Sequence, residues 1–439
     1  EKIIQSKDNT YIASGYERGV KLGEYKMVFS QINQAGEIIW SKVLDNNSGK
    51  KTSSLTFSDG KVADDKNAFF TGWVYIENES EGAKEIPLIK ISPSGEILMS
   101  KVYGIKDGRV IGYSIDKGID GGFIISGTIF YTNEIGKQSS DALLIKTNIE
   151  GQIEWAKTFD QENFYDLAYS VISTSDNSYL VVGRSADQEG GEEFGARHFF
   201  NKEKAFIMKL DKDGSILWQK IFEGNLGQAR VTAIKELQDN NFLVIGETYS
   251  YPDNLRSQIF ITKINSKNGD FIWVKMPEID NFYQGASVLE DQEGNLIIAT
   301  SSGRTIGGLG GAFKPVLMKL NKEDGKILWL KIFERPGNGI FFDIDNSFND
   351  NYIITVGKSN SFNKEGYDQA IISQFNEDGI LANCQFLKDK KPLEINILDF
   401  TPQFETKTLK QKDIDLSERS PNLVLKDFVL DNVVEVCPQ

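Results

Sequence analysis

Residues 205–220 read Ala205-Phe206-Ile207-Met208-Lys209-Leu210-Asp211-Lys212-Asp213-Gly214-Ser215-Ile216-Leu217-Trp218-Gln219-Lys220. Two short apolar runs flank a tight Asp-Lys-Asp-Gly turn, which is the pattern of two antiparallel strands joined by a hairpin. Upstream, Ala168–Ser173 and Tyr179–Gly183 form a second pair around the polar turn Asp176-Asn177-Ser178. The unit is therefore four strands, rich in β-branched and aromatic residues, with no apolar period of 3.6 long enough for a helix.

The unit repeats. Glycines equivalent to Gly214 stand at Gly36, Gly95, Gly151, Gly269, Gly325 and Gly379, at intervals of 59, 56, 63, 55, 56 and 54 residues along the chain. Four residues later come Trp40, Met99, Trp155, Trp218, Trp273, Trp329 and Asn383, and two further on Lys42, Lys101, Lys157, Lys220, Lys275, Lys331 and Gln385. A sustained period of this length marks a repeat architecture. Four strands in each of seven repeats predict an all-β, seven-bladed β-propeller of four-stranded blades over residues 1–387. Residues 388–439 lack the signature but alternate apolar with polar residues, so they are expected to form a β-rich C-terminal extension. The repeat Trp is expected to lie flat on the neighbouring blade, with the Lys stem covering the blade edge.

Composition narrows the function classes. The chain has 439 residues, 40% hydrophobic and 11% aromatic, which suits a folded protein. A net charge of −14 lacks the basic footprint of a nucleic-acid binder and gives no attraction to an anionic membrane surface. No apolar run approaches 18 residues, so no transmembrane helix is expected. The opening Glu1-Lys2-Ile3-Ile4-Gln5-Ser6 reads as the middle of a repeat, and an upstream segment is expected to precede it.

The only cysteines are Cys384 and Cys437. Either they are two buried free thiols, or they form a disulfide that pins the tail to the last repeat. The second reading is favoured: closing a loop of ~50 residues would contribute about 4 kcal/mol and would place the chain outside the cytoplasm.

The elements Ser170–Thr174 with Tyr179–Gly183, Phe206–Asp211, and Gly151–Lys157 resemble a propeller repeat of secreted and surface proteins of Bacteroidota. The resemblance covers residues 1 to about 386. The ending Asp378–Cys384 followed by Val436-Cys437 is similar to tails of such proteins. It implies an extracytoplasmic, non-catalytic module at the cell surface or in the periplasm, often lipid-anchored, although the first residues carry no lipobox cysteine. Leu320–Trp329 is also similar to the tryptophan-docking repeats of quinoproteins and of outer-membrane assembly propellers. The quinoproteins' adjacent cysteine pair is missing, so shared blade geometry is implied, with no cofactor.

Sites for chemistry are sparse. The single histidine, His198, cannot by itself build a His-based metal cluster or a triad. Asp211-x-Asp213-Gly214 lacks the Glu that ends an EF-hand loop, since Phe222 stands there, and reads as a hairpin turn. Gly303–Gly311 lacks the Gly-Lys-Ser/Thr of a phosphate loop. Arg18, Arg184, Arg197, Arg256 and Arg304 fall between the second and third strands of their repeats, on one expected face, as a sialidase would need. The sialidase Ser-x-Asp-x-Gly-x-Thr-Trp box is absent, and among 63 acidic residues no carboxylate pair stands out.

The long loops of that face carry aromatics and arginines, the usual anchors of protein interfaces. Phe194, Arg197, His198, Phe199, Phe200, Tyr249, Tyr251, Arg304, Phe313, Phe362 and Tyr367 are the candidate partner-binding residues. The resulting expectation is a module without enzymatic activity that binds protein partners, as an accessory subunit of a cell-envelope or outer-membrane transport or secretion complex. The alternative is a surface carbohydrate-binding protein or glycoside hydrolase, recognised by a central pocket with a carboxylate pair or stacked aromatics.

Overall fold

A computed structural model describes residues 2–6, 10–18, 25–33, 37–46, 52–63, 65–76, 84–105, 108–132, 136, 138–161, 164–187, 203–224, 227–249, 257–277, 282–303, 313–333, 339–346, 352–359, 369–380, 397–398, 403–404, 409–419 and 423–427. Among them are strands and turns and no helix.

The strands follow the chain as up-and-down meanders. The first comprises β1 (Lys2–Gln5), β2 (Thr10–Arg18), β3 (Tyr25–Asn33) and β4 (Ile38–Asn46). The next has β5 (Thr52–Val62), β6 (Ala68–Ile76), β7 (Lys84–Ile91) and β8 (Ile97–Gly104). Then come β9 (Arg109–Lys117), β10 (Phe123–Thr132), β11 (Gln138–Thr147) and β12 (Ile153–Asp160). They are followed by β13 (Phe164–Ser173), β14 (Tyr179–Asp187), β15 (Glu203–Leu210) and β16 (Ile216–Glu223). Two more groups are β17 (Gln228–Glu236), β18 (Phe242–Tyr249), β19 (Ser257–Ile264), β20 (Phe271–Pro277), and β21 (Phe282–Glu290), β22 (Leu296–Gly303), β23 (Phe313–Leu320), β24 (Ile327–Ile332). The last described meander is β25 (Gly339–Asn346), β26 (Tyr352–Ser359) and β27 (Gln369–Asn376).

Consecutive meanders stack face to face, which is the propeller arrangement. The period-2 alternation of the second strand feeds two cores at once. In β14, Tyr179 and Val181 join Ile124, Leu144 and Phe159 of the preceding meander, while Leu180 and Val182 join Val231, Val244 and Phe260 of the following one. Burial on both faces is why these strands read as unbroken apolar runs.

The expectation of seven separate four-stranded blades is corrected at the level of hydrogen bonding. The paired sheets hold 10, 10, 5, 4 and 3 strands, so four sheets, not seven, reach four strands or more. Two causes are visible. Single parallel contacts, Tyr25 with Ser54 and Ser140 with Tyr165, fuse neighbouring meanders into larger sheets. The last meander shows only three strands among the described residues.

The Gly-x-x-x-Trp-x-Lys signature is a latch between meanders. Gly214 closes its hairpin with φ of 77°, a left-handed conformation that a side chain disfavours. A Cβ there would lie 3.0 Å from Trp155 Cη2, because the Trp of one meander covers the turn of the next. Trp40 Nε1 donates to the Pro93 carbonyl at 3.0 Å and Lys42 Nζ to the Gly95 carbonyl at 3.0 Å. Trp218 Nε1 donates to the Ser266 carbonyl at 3.3 Å, and Lys220 pairs with Asp270 at 2.9 Å.

The C-terminal segment runs backwards around the outside. Its short strands are β28 (Ile397–Leu398), β29 (Gln403–Phe404), β30 (Lys410–Asp413), β31 (Ser417–Arg419) and β32 (Leu423–Asp427). They pair antiparallel with β20, β16, β12, β8 and β4 in that order. Each covers an outer edge that would otherwise present unpaired N–H and C=O groups.

Candidate functional site

The first strands of the meanders line the axis, and a β-bulge interrupts them at a recurring position. Register shifts fall between Phe57 and Asp59, Ala168 and Ser170, Val231 and Ala233, and Phe341 and Asp343. In β9 the same shift leaves Tyr113 between Gly112 and Ser114. Opposite each bulge stands the glycine that ends the apolar run of the second strand. A Cβ on Gly183 would come within 1.9 Å of the Leu167 carbonyl oxygen, and on Gly127 within 2.1 Å of the Ile111 oxygen. The glycine admits the bulge, and the bulge turns one residue per strand off the packed faces. Those residues include Ser58, Tyr113, Tyr169 and Thr232.

Tyr113 and Tyr169, from adjacent meanders, face each other with ring centroids 5.4 Å apart. Arg184 lies over the Tyr169 ring at 5.7 Å and bonds Glu203 at 2.7 Å. Arg230 of the next meander pairs with Glu247. The Arg184 and Arg230 side chains keep 16% and 18% of their surface open, whereas Glu203 and Glu247 keep 3% each. The carboxylates are thus buried supports, and the guanidinium and phenol groups are the parts a ligand could reach. Burial pushes Glu247 above the usual carboxylate range despite the Arg230 charge, and raises the Tyr169 phenol against Arg184 and Arg230.

The other axial carboxylates hold adjacent strands together. Asp59 accepts from Ser114 Oγ at 2.7 Å and Ile115 N at 3.1 Å. Asp116 accepts from Ser173 N at 2.8 Å, and Asp345 from Gln5 N at 3.0 Å. Burial would raise Asp59, but Lys2, Lys61 and those hydrogen bonds hold it below the usual range. Asp116 is raised, chiefly by burial, with Asp59 adding to it and Lys61 opposing. Their bonds to neighbouring main chain give these groups a structural task.

A third group lies at the seam of β11 and β13. Tyr131 donates to Asp141 Oδ1 at 2.7 Å, and Asp166 accepts from Gln161 N at 2.8 Å. Burial pushes Asp141 up to about 6 and Asp166 well above the carboxylate range, and the Asp160 charge adds to both. Among the described residues no three His, Cys, Asp or Glu side chains are arranged to hold a metal ion. In the Asp211 turn, Oδ1 accepts from Asp213 N at 3.0 Å and Ser215 N at 2.8 Å, as a hairpin requires.

Phe194, Arg197, His198, Phe199, Phe200, Tyr251, Arg304, Phe362 and Tyr367 lie outside the described residues, as do Cys384 and Cys437. Tyr249 ends β18 opposite Gln228 and Ser257, and half-buried Phe313 opens β23 opposite Gly303. Of the five arginines expected on one face, Arg184 sits within β14 and joins the axial cluster. Tyr113, Tyr169, Arg230, Glu203 and Glu247 were missed. The available signal was the glycine ending the second strand, which marks where the first strand bulges.

No protein-family model and no curated protein matches the chain. Solved structures with propeller-type folds do. Hydrazine synthase of Kuenenia stuttgartiensis is 10% identical over 84% of this chain and 94% of its own, with a TM-score of 0.46. A Dyadobacter fermentans protein of unknown function is 12% identical over 72% and 92%, with a TM-score of 0.44. A GH93 α-L-arabinofuranosidase of Fusarium graminearum, in complex with arabinobiose, is 9% identical over 76% and 96%, with a TM-score of 0.45. The expectation of a chain without enzymatic activity is withdrawn, because enzymes stand among these neighbours. Likeness at this level assigns neither a family nor an activity.

Proposed function

We propose that the protein recognises carbohydrate at its axis, on the surface formed by Tyr113, Tyr169, Arg184 and Arg230. The observation that supports this is the tyrosine pair, 5.4 Å between centroids, beside two arginines braced by buried glutamates. Sugar C–H faces stack on phenol rings, and planar guanidinium groups donate paired hydrogen bonds to vicinal hydroxyls or a uronate carboxylate. Each Glu fixes its Arg, so little side-chain freedom is lost on binding. In this reading the repeat unit is the blade, seven units surround the axis, and the chain works outside the cytoplasm. The test is a glycan array followed by titration of the best oligosaccharide, with product analysis to separate binding from cleavage. Tyr169→Ala should weaken binding at least tenfold, about 1.4 kcal/mol. Binding to no glycan, or binding unchanged in Tyr169→Ala, would refute the proposal.

A second reading, attachment to a protein partner of the cell envelope, draws on one observation. Ile39, Leu98, Leu217, Ile272 and Leu328 occupy the same position on the fourth strands of five meanders and are 47–56% exposed. Replacing them together by Ser should abolish capture of envelope proteins from cross-linked cells; unchanged capture would exclude this surface.

A further inference from the structure

The C-terminal strap advances by a fixed step. Ile397, Phe404, Gln411, Glu418 and Leu425 stand opposite Pro277, Phe222, Phe159, Tyr103 and Leu44. Each partner is the eighth residue after its repeat glycine, Gly269, Gly214, Gly151, Gly95 and Gly36, so the strap moves seven residues for every meander. The repeat lysine lies two places before each partner, on the same face of the outer strand.

Two strap residues complete the latch between meanders. The Gln411 amide, oriented to satisfy both of its ends, accepts from Lys157 Nζ at 2.9 Å and donates to the Gly214 carbonyl at 3.2 Å. One step on, Glu418 accepts from Lys101 Nζ at 2.6 Å and from Ile153 N at 3.4 Å. Each ties the repeat lysine of one meander to the hairpin of the next. Where the strap has Phe404 or Leu425 at that position instead, Lys220 and Lys42 bond the next hairpin directly. The strap also enters the cores of the two junctions it bridges. Leu409, 3% exposed, shares one buried cluster with Ala168 and Val171, which lie on either side of Tyr169. Ile414 and Leu416 pack against the cluster of Val110 and Ile115, which lie on either side of Tyr113.

We propose that the strap is a clasp for the second–third and third–fourth junctions, and that through their cores it sets the placement of the Tyr113–Tyr169 pair. A close-packed interior passes a displacement at the rim to the strands at the axis. Gln411 and Glu418 are therefore positioning residues, which act by holding together the meanders whose first strands carry the tyrosines. The consequence for sugar binding rests on the axial reading given above, whereas the clasp itself does not.

The test uses the full-length chain and hydrogen exchange of its main-chain amides. In Gln411→Ala the β13 amides around Tyr169 should lose protection about tenfold, and in Glu418→Ala the β9 amides around Tyr113, with β5 and β17 unchanged. Glu418→Gln keeps an oxygen acceptor for Lys101 and should stay within about threefold of the parent. Affinity for the best oligosaccharide should fall about threefold in Gln411→Ala. It should hold the parent value in Lys42→Ala, which opens a junction that carries neither tyrosine. Exchange that rises equally in all these strands, or in none, would overturn the clasp. Parent affinity in Gln411→Ala, with β13 exchange raised, would overturn its control of the tyrosine pair. A parent chain that binds no oligosaccharide refutes the axial reading alone, and the exchange pattern still decides for or against the clasp.

Discussion

Lys2 Nζ bonds Asp343 Oδ1 at 3.2 Å across 341 positions of sequence, and Asp59 Oδ1 lies 3.1 Å from the same ammonium. The first strand is thereby clamped between carboxylates of the second and the last meander. Asp343 also accepts from Ile3 N at 3.1 Å and Ser287 Oγ at 2.7 Å, so one buried side chain joins three meanders.

Asp343→Ala removes the acceptor for a buried ammonium, a main-chain N–H and a hydroxyl. Loss of one partner of a buried pair costs about 3 kcal/mol. Urea unfolding should show that decrease, and the first strand should become the earliest region to exchange its amide hydrogens.

Gly183→Ala tests the bulge. With only 1.9 Å between the new Cβ and the Leu167 oxygen, the main chain must move. Destabilisation by more than about 2 kcal/mol is expected. Gly136→Ala, where a Cβ meets nothing within 4 Å but φ is 77°, should cost about 1 kcal/mol. Thermal unfolding of the two variants distinguishes clash from backbone preference.

The latch predicts a graded series. Trp218→Ala uncovers the Gly269 turn and loses the bond to Ser266, for about 3 kcal/mol. Lys220→Ala removes a surface pair with Asp270 and should cost under about 1 kcal/mol. Equal losses in chemical denaturation would contradict the assignment of the Trp as the main packing element.

Asp141 predicts a pH dependence. Its pKa is about 6 in the folded chain, whereas an unfolded Asp titrates near 3.9. The folded state holds the proton more tightly, so this group's contribution falls as pH rises from about 4 to about 6, then stays level. Asp141→Asn keeps an acceptor for Tyr131 and should remove the slope, gaining on the order of 2 kcal/mol over the parent at pH 7.5 relative to pH 4. A stability difference independent of pH would show that Asp141 does not titrate in this window.

Much of the architecture was legible in residues 205–220 and their copies, because strand alternation and the Gly turn are local requirements of the backbone. The Trp-to-turn packing was legible too, since a large aromatic at a fixed offset from a glycine needs a flat neighbour. The axial cluster was not. Tyr113 and Tyr169 look like ordinary strand residues until the bulge, which depends on Gly127 and Gly183 in a different strand, turns them from the core.

The chain's order of strands, its turns and its repeat length were determined by sequence alone, since each follows from dihedral preference and side-chain alternation within a few residues. Tertiary structure alone decided which residues share the axis, how single parallel contacts merge meanders into wider sheets, and that the tail steps seven residues per meander around the rim. Those relationships join positions dozens to hundreds of residues apart. They depend on the spacing of packed sheets, which no local window of sequence contains.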